Sequence, residues 1–473
     1  EDRRFLKNFP FLRTNDLSSG PFHFRKGEKG EVKYLDMKVL KFGGTSVGSP
    51  ENMRMVMKIV TDGERKLVVL SAMSGTTNSL LGISGALNLN RDEDALDLIG
   101  TLEKKYHQVV NDLYQTILIR QQGQEVIREI FSLLRSFVGQ PITERQEKII
   151  VAQGEIISTR LFTLLMAESG YKAVLLPALD FMRVDENRAA DLPAIRRLFA
   201  EMISHTSEAD YYITQGFICR NPQGEIDNLE RGGSDYTASL LGAAVDAEEI
   251  QIWTDIDGFH NNDPRFVENT RKIDQLSFLE AAELAYFGAK ILHPQTVLPA
   301  RMQNIPVRLK NTMNPSDSGT LITTETDGSG IKAVAAKDGI TAIKIRSARM
   351  LMAYGFLKTI FEIFERYKTP IDMISTSEVA VSLTIDNTKN LDKIHAELLN
   401  FGEVEVDENM SIICIVGDII REETGFASRV FNALDGIPIR MISYGGSRFN
   451  ISVLVPTSHK KSTLQTLSDK LLN

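Results

Sequence analysis

Cysteine and tryptophan are scarce in this chain, and long apolar runs are missing. Its 473 residues include two cysteines and one tryptophan. Cys219 and Cys414 stand far apart with no C-x-x-C spacing, so neither a disulfide framework nor a structural zinc site has the residues it needs. A reducing cytoplasm is the expected setting. No apolar run reaches the ~18 residues of a membrane-spanning helix, and no apolar central region with a small-residue cleavage site marks a signal peptide. Basic residues are in deficit as well: 54 Lys and Arg against 62 Asp and Glu leave a net charge of −8. Binding to nucleic acid or an anionic membrane draws on clustered Lys and Arg, so neither partner is expected. A locally basic pocket for an acidic substrate stays compatible with that balance. No G-x-G-x-x-G occurs, which removes the dinucleotide fingerprint. No His pair has metal-ligand spacing, nothing suggests a Ser-His-Asp triad, and no metal held by the protein itself is expected.

What is present is an ordinary globular composition, 42% hydrophobic and 25% charged, in a chain too long for one core, so two or three domains are expected. Residues 1–36 mix basic, aromatic, Gly and Pro residues without a period and read as an extension, with Met37 as the functional start. From there short apolar runs at Val39–Phe42, Leu67–Leu70, Ala173–Leu176, Tyr211–Thr214 and Ile250–Trp253 alternate with helix-periodic segments, including a long charged one over 92–136. This predicts an α/β domain over 37–323, helices covering both faces of a mainly parallel sheet. A linker at Thr324–Gly330 follows. Beyond it the order β-α-β-β-α-β over 340–399, and a second such unit from Ser411 to Val455, predict two ferredoxin-like units.

Four motifs could carry chemistry. Lys41-Phe42-Gly43-Gly44-Thr45-Ser46 follows a buried strand, where glycines let backbone N–H groups approach a phosphate and a lysine adds a point charge. It is not a Walker A loop, because Ser49-Pro50 stand where Lys-Ser or Lys-Thr must follow; a tight turn at a strand end fits the same residues. Arg231-Gly232-Gly233-Ser234-Asp235 opens a helix, with an arginine able to grip a carboxylate and an Asp able to orient groups, or else with Ser and Asp acting only as caps. Trp253-Thr254-Asp255-Ile256-Asp257-Gly258 with Asp263-Pro264-Arg265 sits where α/β sheets bind ligands, though Asp-Gly and Asp-Pro-Arg are also ordinary turns. In Phe287-Gly288-Ala289-Lys290-Ile291-Leu292-His293-Pro294 the lysine could reach phosphates, while His293 reads as a packed or capping residue.

Together with Gln153-Gly154-Glu155, Ser158, Asn311-Thr312, Asn314-Pro315 and Gly319-Thr320, these motifs in this order resemble the aspartate kinase family over about residues 38–460. The resemblance implies an amino-acid kinase fold followed by two ACT domains over 331–473, the first (about 339–408) inserted into the second (about 331–337 and 409–473). It implies transfer of the γ-phosphoryl group of MgATP, the magnesium carried by the nucleotide, to the side-chain carboxylate of L-aspartate, the first step toward lysine, threonine and methionine. Lys41 and Asp235 would be catalytic, Lys41 by neutralising charge. Thr77, Glu155, Arg231, Gly232, Gly233 and Ser234 would hold aspartate. Lys41, Phe42, Gly43, Gly44, Thr254, Asp255, His260, Arg265, Lys290 and Ile291 would hold ATP, with His260 standing where the family usually has Tyr. A carboxylate nucleophile is ionised at pH 7, so no general base is required. Ser375–Val379 looks like lysine-inhibited members, and Met350, Gly355, Phe356, Leu357, Asp372, Ser377 and Glu378 would form a lysine pocket, or else pack a dimer of ACT units. A homodimer is expected, with a tetramer as the alternative. A rival reading is a catalytically inactive ACT sensor on the kinase scaffold.

Overall fold

The computed structural model describes residues 37–206, 209–229, 232–288, 292–325, 330–350, 354–418 and 425–472, plus the backbone of two short antiparallel strands, Arg25–Lys26 and Val32–Lys33. Apart from those four residues the extension, and with it Arg231, Lys290 and Ile291, lies outside the described residues.

The first layer is an eight-stranded sheet. In chain order its strands are β1 (Lys38–Phe42), β2 (Lys66–Leu70), β3 (Ala173–Leu175), β4 (Tyr211–Gln215), β5 (Ile250–Thr254), β6 (Gln275–Ser277), β7 (Val307–Asn311) and β8 (Thr320–Thr323). Across the sheet the order is β6-β8-β7-β5-β1-β2-β4-β3. Every neighbouring pair is parallel except β7 with β8, so β6 and β8 run against the other six. β2 and β4 are buried at every position, which is why they read as unbroken apolar runs rather than alternating ones.

Helices α1 (Pro50–Val60), α2 (Thr76–Asn88), α3 (Asp92–Leu113), α4 (Ile117–Arg135) and α5 (Glu144–Glu168) pack with β1 and β2 into one core, containing Leu40, Val68, Tyr106 and Phe162. A second core joins α6 (Leu192–His205), α7 (Gly233–Val245) and α8 (Phe278–Phe287) to Val39, Val69, Ile250 and Val307. The long periodic segment over 92–136 is two helices. Glu168 accepts from the backbone N–H groups of Gln115 and Thr116 and from the Thr116 hydroxyl, giving the freed backbone donors of the break a partner. Helix α5 alone among the described residues has the length and apolar composition of a membrane span, and most of it is buried in the core.

The chain moves outward from β1 to β2, β3 and β4, then returns to the other side of β1 with β5. The order therefore reverses between β1 and β5, and the crevice beyond their carboxyl ends is where such sheets bind ligands.

The C-terminal part is one six-stranded antiparallel sheet built on two long strands, β9 (Gly330–Arg346) and β12 (Glu403–Asp418), paired along most of their length. At one end β11 (Ala380–Ile385) flanks β9 and carries β10 (Ile374–Thr376); at the other, β14 (Asn450–Pro456) flanks β12 and carries β13 (Met441–Ser443). Each end therefore holds four strand segments in ferredoxin-like order. Helices α9 (Phe356–Arg366) and α10 (Leu391–Leu398) cover one end, α11 (Phe426–Ala433) and α12 (Lys460–Leu467) the other. The fourth strand of the second unit is the first half of β9, which precedes the first unit in sequence.

Candidate active site

Three strand ends meet in a cavity of about 360 Å³, lined among others by Lys41, Gly44, Ser71, Glu155, Phe217 and Ser234. Lys41 is on β1 and only 9% exposed. Its Nζ lies 2.6 Å from Asp235 Oδ1 on the first turn of α7, so burial of the cation is offset by a paired carboxylate. After Phe42 the loop turns under close constraints. A Cβ on Gly44 would fall 2.9 Å from the Ala72 carbonyl oxygen, so only glycine lets the β1 and β2 loops approach in this way. Gly43 contributes differently from a phosphate cradle: its N–H is donated to the Trp253 carbonyl at 3.2 Å. Phe42 is fully buried and stacks on Trp253 with centroids 5.7 Å apart, so its ring belongs to the core.

Ser71, the residue after β2, joins the other elements. Its hydroxyl donates to Ser234 Oγ at 2.9 Å, its carbonyl accepts from Ser158 Oγ at 2.7 Å, and its N–H reaches the Phe42 carbonyl at 3.1 Å. Glu155 faces the cavity from α5. The Ala72 N–H donates to its Oε1 at 3.3 Å, while Oε2 is buried without a hydrogen-bond partner. Burial pushes its carboxyl up to about 7, with the Ala72 N–H opposing. A carboxylate in that position is set to receive a cationic group that displaces its proton.

Opposite, the α7 N-terminus presents Gly232 and Gly233, both at positive φ, followed by buried Ser234. Gly216 is hemmed in by this turn, since a Cβ there would lie 2.3 Å from Ser234 Oγ. Phe217 lines the cavity at φ 67, a conformation a bulky residue adopts only when its surroundings impose it. Thr77 also lines the cavity, near the start of α2, and the neighbouring Thr76 hydroxyl is 2.8 Å from the buried Tyr106 OH.

Of the sequence-predicted residues, the cavity thus gathers Lys41, Gly44, Thr77, Glu155, Gly232, Gly233 and Ser234 along its wall, with Asp235 behind Lys41. Thr254 ends β5, the neighbour of β1, and its hydroxyl accepts from the Ile256 N–H while facing the Asp255 carboxylate at 3.4 Å. His260 and Arg265 do not line the cavity. His260 is held by Asp257 at 2.9 Å and Thr270 at 3.1 Å, and the exposed Arg265 is bonded to Asp263 at 2.7 Å. His293 caps the turn Pro294–Val297 through the Gln295 N–H. Ser71 and Phe217 were not singled out from sequence. Ser71 was findable, because it is the first residue past a buried strand in a small-residue loop; Phe217 carried no signal.

In the regulatory part Met350 and Phe356 pack against the core of the first unit. Gly355 starts α9 at φ 86, and Leu357, Ser377 and Glu378 are exposed. Asp372 lies apart from this surface: its side chain is 1% exposed, pairs with Lys337 Nζ at 2.7 Å and accepts from Tyr286 OH at 2.6 Å.

Residues 36–311 match the amino acid kinase family and residues 413–471 the ACT domain. Lysine-sensitive aspartokinase 3 of Escherichia coli is 34% identical over 446 residues, 92% of this chain and 98% of that protein. Chloroplastic aspartokinase 3 of Arabidopsis thaliana is 34% identical over 91% of this chain and 80% of its own length. Among solved structures, E. coli aspartokinase III in complex with aspartate and ADP superposes with a TM-score of 0.78 at 32% identity, over 93% of this chain and all of that one. The same enzyme in complex with lysine and aspartate gives 0.77 at 33%, over 92% of this chain and all of that one. The chain therefore belongs to the aspartokinases, enzymes that transfer the γ-phosphoryl group of ATP to the side-chain carboxylate of aspartate.

Proposed function

We propose that the cavity between the ends of β1, β2 and β4 holds L-aspartate, with its α-ammonium at Glu155, its side-chain carboxylate near Lys41 and its polar contacts completed by Thr77, Ser234 and Ser71. The single observation carrying this assignment is Glu155: a buried carboxyl with one oxygen unpartnered, in the same cavity as the Lys41–Asp235 pair. Arg231 would grip the α-carboxylate, a role that rests on the sequence motif.

Phosphoryl transfer asks chiefly for alignment and for charge opposite the moving group. Lys41 supplies that charge, Asp235 fixes where its ammonium sits, and the α7 N-terminus adds partial positive charge beside it. The nucleotide would enter over the end of β5 past Thr254 and Asp255, with Lys290 at its phosphates. Magnesium, when bound, supplies further charge neutralisation. Asp235 would be the protein carboxylate available to an ion carried on the triphosphate. The test is aspartate-dependent ADP release with Glu155→Gln and Asp235→Asn beside the wild type. A Glu155→Gln enzyme with unchanged KM for aspartate refutes the placement of the ammonium.

L-lysine is the proposed effector, bound to the first regulatory unit near Met350, Gly355–Leu357, Ser377 and Glu378. Support comes from the exposed Glu378 and from the E. coli relative, a lysine-sensitive enzyme solved with lysine. Titrating lysine, threonine and methionine separately decides it; inhibition by threonine alone removes the lysine pocket and leaves the kinase intact. The exposed Tyr354, Leu357, Phe361, Ile374 and Val379 on this unit, with β10 at the sheet edge, support a homodimer through this face, readable by sedimentation. The strand order supports a division into a kinase domain over 37–323 and two ACT domains over 331–473, the first inserted in the second. A cytoplasmic setting accords with two buried, unpaired thiols.

A further inference from the structure

Helix α8 belongs to the kinase sheet, yet it packs on both long strands of the regulatory part. Its end is fitted closely to β9: at Gly288 a Cβ would come 2.5 Å from the Ala336 carbonyl oxygen. Two side chains three residues apart, hence on one helix face, anchor it to the two regulatory units separately. Glu283 accepts from Ser447 Oγ at 2.7 Å and from Asn450 Nδ2, both in the second unit. Tyr286 donates to Asp372 Oδ1 at 2.6 Å, in the first.

The second anchor is built around a buried charge. Lys337 Nζ donates to the same Asp372 oxygen at 2.7 Å, lies 2.9 Å from Asp386 Oδ2, and sits 4.4 Å above the Tyr286 ring centre. Burial and the Asp372 hydrogen bond together push the Tyr286 phenol up to about 12, so it stays a donor. The contact is charge-assisted, with the Asp372 and Lys337 side chains largely buried and Tyr286 itself 45% exposed.

On its other side α8 leads to the active site through described residues. It packs on the turn Pro294–Val297, and Ala300 just beyond donates its N–H to Ser239 Oγ of α7 at 3.1 Å. Within the turn, fully buried Thr296 fills the space in front of Gly232: a Cβ on Gly232 would fall 1.8 Å from Thr296 Cγ2. A displacement of α8 therefore cannot be absorbed at that contact without moving the Gly232–Gly233 loop, because close-packed interiors do not deform continuously.

We propose that Asp372 is a positioning residue for the kinase reaction: through Tyr286 it fixes helix α8, and through the Pro294–Val297 turn it fixes the Gly232–Gly233 loop on which aspartate sits. The regulatory sheet thereby contributes to the substrate site even with no effector bound. This rests on the reading of Gly232–Ser234 as the aspartate loop, so the test carries a control for that reading.

The full-length enzyme is measured as wild type, Tyr286→Phe, Asp372→Asn, the double variant and Ser234→Ala. Tyr286→Phe keeps the ring under Lys337 and removes only the donor. Loss of a hydrogen bond to a charged group predicts an increase of about three- to tenfold in KM for aspartate in each single variant. The expected kcat and KM for ATP stay within about twofold, and the double variant is less than additive, because both changes act on the Tyr286–Asp372 contact while Asp372→Asn also weakens the pair with Lys337. If KM for aspartate is unchanged in Tyr286→Phe and Asp372→Asn while Ser234→Ala raises it, the positioning role is overturned and the site reading stands. If Ser234→Ala also leaves KM unchanged, the loop reading has failed and the proposal falls with it. If Tyr286→Phe instead lowers kcat and the melting temperature with no selective change in KM, the contact is structural only and the proposal is likewise overturned.

Discussion

Replacing Glu155 by Gln tests the electrostatics of the site in two independent ways. Burial moves this carboxyl from its ordinary 4.5 up to about 7, a difference that corresponds to roughly 3 kcal/mol of preference for the neutral form. The folded pKa is raised, so the contribution to stability is fully present below the unfolded value, is lost as pH rises from about 4.5 through about 7, and stays lost above. Glutamine cannot ionise. The substrate-free Glu155→Gln protein should therefore match the wild type near pH 4 and exceed it by up to about 3 kcal/mol near pH 8, read from denaturant unfolding at a series of pH values. Aspartate binding runs the other way. On the proposed placement its ammonium favours ionised Glu155, so KM for aspartate in the wild type should fall as pH rises through 7, approaching tenfold per pH unit on the acid side. In the variant KM should be high and flat over the same range. A stability difference that does not change between pH 5 and 8, or a wild-type KM that is flat across it, would refute the assignment of the shifted group to Glu155.

Three further outcomes follow from the geometry. Lys41→Met should leave the fold intact and lower kcat by about a thousandfold, because the one described cation paired with Asp235 in the cavity is lost; single-turnover phosphoryl transfer measures it. Gly216→Ala places a methyl 2.3 Å from Ser234 Oγ and 2.7 Å from its Cα, so an overpacking cost of about 1–3 kcal/mol is expected, with a raised KM for aspartate. A melting curve and a KM determination check both parts. Tyr106→Phe strands the buried Thr76 hydroxyl and should cost about 1–2 kcal/mol of stability, visible as a lower melting temperature with little change in kcat.

The parallel strands were legible because burial on both faces writes itself as an unbroken apolar run, as in Leu67–Leu70, all buried. The break between α3 and α4 was not, since Tyr114-Gln115-Thr116 contains neither Pro nor Gly. What accompanies it is tertiary: Glu168 takes the Gln115 and Thr116 donors, and Tyr114 OH reaches the Leu161 carbonyl. In the C-terminal part local order was readable while strand length was not. Ile340–Ile345 and Ile412–Val416 are pieces of a 17- and a 16-residue strand, and only pairing between distant segments makes them continuous. At the site, glycine-rich turns named their own positions. Asp372 shows the limit of motif reading: its place in the sequence suggested an effector contact, and its side chain lies in a buried pair with Lys337 that no local pattern announces.

These features bear on why the site can do without a base. The acceptor is a carboxylate, ionised at neutral pH, so the barrier lies in bringing it against an anionic phosphoryl group rather than in removing a proton. In its proposed role Lys41 would reduce that repulsion only with its ammonium already in place, since an unanchored lysine would lose much of its effect to side-chain freedom. The Asp235 carboxylate 2.6 Å away prevents this, at the cost of weakening the field that Lys41 presents. The α7 N-terminus, on whose first turn Asp235 sits, restores part of it, because helix-terminal dipoles favour anions without adding a mobile charge. Position and charge are thus divided between a strand lysine and a helix start. The loop joining them, Gly232–Gly233, is the element that Thr296 packs against from outside. On the proposed reading, regulation acting on that packing would change alignment while leaving Lys41 and Asp235 paired, and so would act first on aspartate binding.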